Sequence, residues 1–283
     1  MVQAMYQVDH HVVTTKWDRF DSWYRFLPPS RPSAEHIEVF RACLLSAIER
    51  TGNREICILG STPELRDLAA RLGRVKVVVI DHSDAFHKGV DWLRTVPTDD
   101  EELIIDDWSQ ALGRMPHRFS AVLSDLTLGN IRYEDRGRFF SSIARSLMTN
   151  GLFVDRVLTN ELPQIPIRRL ADHYSDIPGN LSVLNRFFNE SLFCSSLLDG
   201  RDVIDIDQFI SDMRAMDGNT GFKWCVDNLQ RAIPAGSKWY YGRPWSRVKQ
   251  DFESYFRIVG STSEPMPSSE FAGRSQIISW TPQ

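Results

Sequence analysis

The sequence predicts an α/β chain built on a mostly parallel sheet. Two observations carry the prediction. Short apolar runs that end in small or acidic residues alternate with amphipathic helical patterns from Glu55 to Leu158, and two further strand-like runs close the sequence after a helical stretch. Alternation of this kind gives parallel strands with right-handed crossovers.

Residues 1–33 are irregular but aromatic, with Trp17, Phe20, Trp23, Tyr24 and Phe26 ahead of P-P-S-R-P. Such a segment reads as an arm whose rings pack on the core or close a pocket, and Tyr24 is a candidate substrate contact. Ser33 is a candidate cap for a helix from Ala34 to about Thr51, with Ala34, Ile37, Phe40, Leu44, Leu45 and Ile48 as its apolar face. Residues 1–52 thus form an arm and a helix.

The first β-α-β unit, Glu55 to Asp81, organises the chain. Ile56–Leu59 is a strand that stops at Gly60, and Ser61, Thr62 and Pro63 make a tight turn. Leu65, Leu68, Ala69 and Leu72 recur at helical spacing, with Pro63 at the first position, where its missing N–H is harmless. Val75–Ile80 is the second strand and ends on Asp81. A loop of small residues lets a ligand approach backbone N–H groups, and an acid after the next strand can accept from a ribose diol. A dinucleotide fingerprint needs G-x-G-x-x-G, yet Gly60 stands alone and Glu64 would repel a pyrophosphate. An adenosyl ligand carrying an amino acid fits the loop better.

Ser83 to Leu93 reads as a second helix, capped by Ser83 or Asp81, and His82 and His87 read as surface groups. The third strand, Glu102–Ile105, ends in Asp106, Asp107 and Trp108, two carboxylates and an indole placed to meet a base. The fourth, Phe119–Leu126, carries Ser124 and Asp125 at its carboxyl end. Asp135 to Thr149 reads as a helix, Asn150-Gly151 as its stop, and Leu152–Leu158 as the fifth strand, with Asp155 and Arg156 inside it.

The core therefore spans 53–160. Residues 161–254 read as a helical insertion, with patterns over Ile165–His173, Leu181–Leu198, Ile206–Met216, Phe222–Ile233 and Ser246–Tyr255. Residues 255–283 supply two late strands, Tyr255–Val259 and Ser275–Trp280.

A formal charge of -4 and a pI near 6.0 give no support to a nucleic-acid partner. Four cysteines without a C-x-x-C pair suggest thiols in a reducing compartment. The chain shows neither a signal-peptide pattern nor an apolar run of membrane-spanning length, so a cytoplasmic protein with no membrane partner is expected.

These motifs resemble the class I S-adenosylmethionine-dependent methyltransferases. The resemblance covers Glu55–Leu158 and the last thirty residues. It implies a Rossmann-like seven-stranded mostly parallel sheet with an antiparallel last strand. It also implies S-adenosyl-L-methionine as cofactor, with S-adenosyl-L-homocysteine as product. Its cofactor-binding residues correspond to Gly60, Ser61, Thr62 and Glu64 in the first loop, Asp81 and His82 after the second strand, Asp106, Asp107 and Trp108 after the third, and Ser124, Asp125 and Leu126 after the fourth. The first loop departs from the family's D/E-x-G-x-G-x-G by keeping one glycine.

The implied activity is methyl transfer to an O or N atom of a small-molecule acceptor. His173 is the candidate general base, and Asp125 is a candidate to orient the cofactor or deprotonate the acceptor. Arg156, Tyr174 and Arg243, with Tyr24, are the candidate substrate contacts, and no metal is expected. A homodimer is compatible with the reading. Alternatives are an NAD-dependent oxidoreductase, a nucleic-acid methyltransferase, which the S-D-L-T sequence after the fourth strand disfavours, and a noncatalytic binding protein that keeps the fold.

Overall fold

The structure, a computed structural model, describes residues 30–96, 100–158, 165–175, 179–195, 197, 200–216, 220–233, 235–241, 243–263 and 275–283. Tyr24 and the rest of the aromatic arm lie outside the described residues.

Helix α1 covers Ala34–Thr51. Ser33 accepts from the His36 amide and His36 Nδ1 accepts from the Ser33 amide, a reciprocal cap. Its buried face is Ile37, Phe40, Leu44, Ala47 and Ile48, whereas Leu45, expected on that face, is exposed. Strand β1 (Glu55–Leu59) leads through the Gly60 turn into α2 (Pro63–Leu72), and β2 (Lys76–Asp81) into α3 (Asp84–Val90). Ser83 caps α3 by accepting from the Phe86 amide. Strand β3 (Glu101–Ile105) is followed by a short helix α4 (Trp108–Gly113) that periodicity did not reveal, then β4 (Phe119–Asp125).

Helix α5 covers Arg136–Ser146, and β5 runs from Leu147 to Leu158. Asn150-Gly151 is therefore not a helix stop. It lies within β5, where Asn150 has φ +66° and the register on β4 shifts between Phe119 and Ala121. A Cβ at Gly151 would come within 3.0 Å of the carbonyls of Met148 and Ser120, so only glycine fits where the strand bends.

The insertion contributes α6 (Ile167–Tyr174), α7 (Leu181–Cys194), β6 (Ile204–Asp205), α8 (Ile206–Arg214), α9 (Thr220–Ala232), β7 (Lys238–Trp239) and α10 (Trp245–Glu253). The two-residue strands β6 and β7 pair with each other. Strands β8 (Phe256–Ser263) and β9 (Ser275–Pro282) close the chain.

The sheet has the order β3-β2-β1-β4-β5-β9-β8. It is parallel from β3 to β5, and β9 enters antiparallel between β5 and β8. Strand alternation divides the core. Ile56, Ile58, Val77, Val79, Ala121 and Leu123 face α1 and α2, while Cys57, Leu59, Val78, Ile80 and Val122 face α4, α5 and α10. Around Tyr174, Phe187, Phe209 and Phe222 the insertion builds a third cluster of its own. Cys57, Cys194 and Cys225 are buried and Cys43 is half-buried, all as free thiols. No described helix is long and apolar enough to cross a membrane.

Candidate functional site

Strand order reverses between β1 and β4, so the crevice at their carboxyl ends is where an open sheet receives a ligand. Gly60 turns the chain there with φ +81°, a conformation that L side chains adopt at a cost, and its Cα faces the Trp108 indole. Ser61 and Thr62 behind it are buried.

Asp81 closes β2 with its carboxylate buried beside this turn. Its Oδ2 accepts from the Ser61 hydroxyl at 2.5 Å and its Oδ1 from the Ser83 amide at 3.2 Å. Both donors are neutral. A carboxylate offers about four lone-pair sites, so about two stay open to further donors.

Trp108 is held by its indole N–H, which donates to the Ile80 carbonyl at 2.8 Å, and the exposed His82 ring lies 5.1 Å from it. The two neighbouring acids have local work. Asp107 caps α4 by accepting from the Gln110 amide, and Asp106 accepts from the Asp107 amide and the Arg114 guanidinium. Arg114 and that amide hold the Asp106 carboxyl below the usual carboxylate range.

Glu64 stands in the first turn of α2, as the sequence placed it, paired with Arg31 from the segment before α1. Burial raises its pKa against the pull of Arg31, and its Oε2 is buried without a hydrogen-bond partner among the described residues. That atom is an acceptor without a donor beside the Gly60 loop, a position suited to an ammonium group.

The β4–β5 side of the crevice differs. Asp125 is gripped by Arg156, with Nε to Oδ1 at 2.5 Å and a second contact to Oδ2 at 3.1 Å, and the Arg156 side chain is fully buried. Arg156 thus meets a carboxylate of its own chain. Ser124 donates to Asp155 Oδ1 at 2.7 Å, and complete burial drives the Asp155 pKa well above the usual carboxylate range. Leu126, next along, has φ +56°, an outlier for a bulky side chain. It starts the turn Thr127–Asn130, on which the insertion docks through the Tyr240 amide and the Gly129 carbonyl at 2.7 Å.

Arg243 lies at this docking point. Its guanidinium stands 3.5 Å from the Tyr133 ring centroid and 3.3 Å from Asp202. Arg136, also over the Tyr133 ring, donates to the Tyr240 carbonyl, and burial raises the Tyr133 hydroxyl to about 12 against the pull of both cations. Tyr174 is buried in the insertion core and donates to Glu190 at 2.7 Å. His173 is exposed on α6, edge-on to Tyr174, and among the described residues no carboxylate orients it.

The structure therefore brings Gly60, Ser61, Thr62, Glu64, Asp81, His82 and Trp108 together. Asp125, Ser124 and Arg156 form a separate buried cluster, and His173 and Tyr174 belong to the insertion. Sequence reasoning missed Arg31, His36 and His87. His36 is buried, and burial with the nearby Arg156 cation lowers its pKa to about 3. His87, expected at the surface, is buried as well. Among the described residues no three metal-binding side chains cluster.

This sheet order, with the antiparallel strand inside the far edge, is that of the class I methyltransferase fold. Neither a family model nor a curated protein sequence matches the chain. Solved structures do match its fold. A candidate S-adenosylmethionine dependent methyltransferase from Listeria monocytogenes is 18% identical, with TM-score 0.50, over 89% of this chain and 100% of its own. The 1,6-didemethyltoxoflavin-N1-methyltransferase of Burkholderia thailandensis, solved with 1,6-didemethyltoxoflavin and S-adenosylhomocysteine, is 11% identical, with TM-score 0.50, over 87% and 78%. A candidate zinc-dependent alcohol dehydrogenase from Rhodobacter sphaeroides is 14% identical, with TM-score 0.57, over 95% and 100%. At these identities the likeness is one of fold.

Proposed function

We propose that this chain is an S-adenosylmethionine-dependent methyltransferase acting on an O or N atom of a small-molecule acceptor. The observation that carries the reading is Asp81, a buried carboxylate held only by neutral donors beside a bare Gly60 turn, on a sheet with an antiparallel strand next to β5. The residues fit an adenosyl amino acid. Asp81 has lone pairs left for two ribose hydroxyls, and Glu64 Oε2, without a partner among the described residues, suits an ammonium.

Once bound, the cofactor supplies a methyl group on a sulfonium, already a good leaving group. What the protein must add is position. Asp125, held at both oxygens by Arg156, acts as a fixed wall of the crevice; an amine acceptor needs only orientation there. The insertion, docked on the Gly129 turn through Tyr240 and flanked by Arg243, is the proposed acceptor-recognition element. The 1,6-didemethyltoxoflavin-N1-methyltransferase, a protein of this fold solved with 1,6-didemethyltoxoflavin and S-adenosylhomocysteine bound, supports that choice of substrate class.

Titration calorimetry with S-adenosylhomocysteine and, separately, with NAD tests the reading. Micromolar binding of the first and none of the second is expected; the reverse would replace methyl transfer with hydride transfer. Asp81→Ala is expected to weaken S-adenosylhomocysteine by about 100-fold or more, the loss of two charge-assisted hydrogen bonds. Unchanged affinity would reject the ribose role.

A further inference from the structure

Behind Asp81 lies a line of buried polar side chains. Ser61 Oγ is 2.5 Å from Asp81 Oδ2 and 3.0 Å from His87 Nδ1; His87 Nε2 is 3.2 Å from the Arg66 guanidinium. Arg66 in turn reaches Glu101 through Nε at 2.9 Å and Asp91 at 2.6 Å. Ser61, His87 and Arg66 are all nearly inaccessible to solvent.

The protons in this line can be placed. A carboxylate only accepts, so at 2.5 Å the single Ser61 hydroxyl proton points to Asp81. Ser61 then faces His87 with a lone pair, and Nδ1 must carry the imidazole proton. Nε2 is left as an acceptor, and the group in front of it, an arginine that offers only donors, matches. Glu101 Oε1, the competing acceptor for an Nε2 proton, is 3.4 Å away, too long for a good hydrogen bond.

Resting on the methyltransferase reading, we propose that Arg66, His87 and Ser61 form a one-directional hydrogen-bond chain that fixes the Asp81 carboxylate for the ribose hydroxyls, with His87 as its central positioning residue. Arg66 sets the His87 tautomer, His87 sets the Ser61 rotor, and the Ser61 proton pins one oxygen of Asp81. Burial and Arg66 lower the His87 pKa against Glu101, Asp91 and Asp81, the direction that the chain requires. Fixing the acid in advance removes an ordering cost from ligand binding.

Two measurements test the chain. Nitrogen-detected NMR of the ligand-free protein is expected to show His87 as the Nδ1–H tautomer; an Nε2–H ring would overturn the proposal whatever the protein binds. Calorimetry then compares S-adenosylhomocysteine with its analogue lacking both ribose hydroxyls, in wild type, His87→Leu and His87→Asn. His87→Leu is expected to weaken S-adenosylhomocysteine about tenfold and the dideoxy analogue hardly at all, and His87→Asn, whose amide N–H stands near the Nδ1 position, to recover most of the loss.

Equal losses for both ligands, or none, would overturn the positioning role while leaving the methyltransferase reading intact. Failure of the wild type to bind S-adenosylhomocysteine would overturn that reading and the role with it. Urea unfolding of each variant checks that the fold persists.

Discussion

Asp81 and Asp125 end the two strands that flank β1, and both carboxylates are buried, yet their partners differ in kind. Asp81 is held by a hydroxyl and an amide, Asp125 by a two-pronged guanidinium. Neutral donors leave the first acid its charge and some of its lone pairs. The arginine sets an opposite charge against the second and holds both of its oxygens in place. One side of the crevice is prepared to exchange hydrogen bonds with a ligand, and the other is braced so that it does not move.

The largest effect that would break this comparison is on stability. Arg156→Leu strands the Asp125 carboxylate in a buried site, and a loss of about 3–5 kcal/mol is expected in urea unfolding. Asp81→Ala should leave stability nearly intact while reducing cofactor affinity. A swap of these outcomes would reverse the roles of the two sides.

Asp155 sharpens the contrast, because burial weighs against its charge with no cation in direct contact among the described residues. Its folded pKa lies above its unfolded one, so its contribution favours folding at acid pH and turns unfavourable as pH rises past the ordinary carboxylate range. Asp155→Asn, which keeps an acceptor for Ser124, is expected to stabilise the protein at neutral pH, the gain fading near pH 4. Denaturant unfolding at the two pH values measures it.

His36 gives the opposite sign. Its pKa falls from 6.5 to about 3, so the folded state excludes a proton that the unfolded chain accepts. Stability from this group is complete above pH 6.5 and declines as pH falls toward 3, by at most about 1.4 kcal/mol per pH unit. His36→Asn should flatten the thermal-stability profile between pH 6 and 4.

The sheet was legible because its strands are apolar runs punctuated by Gly60, Asp81 and Asp106, and α1 because Ser33 caps a regular apolar stripe. Helix α4 was hidden by its brevity. The end of α5 was misplaced because Asn-Gly usually stops a helix, while here the pair bends a strand against the Ser120 carbonyl. Of the site, the loop and its acid were readable as a strand–turn–helix signature. The partners of Asp125 and His87 were not, since Arg156 and Arg66 meet them only when the sheet brings distant segments together. Asp106 and Asp107 show the converse, since acids well placed in sequence are tied to Arg114 and a helix cap.

Strand β9 lies inside the sheet, yet the whole insertion separates it from its neighbour β5. Closing so long a loop is slow, and the far edge of the sheet is expected to assemble after the β1–β5 half. In free energy, however, the closure term grows only logarithmically, by about 0.6 kcal/mol for each doubling of the connection. The part of the insertion around α6–α9, with a hydrophobic cluster of its own, can therefore be lengthened or remodelled at almost no expense to the sheet, while the Asp81 side stays as it is.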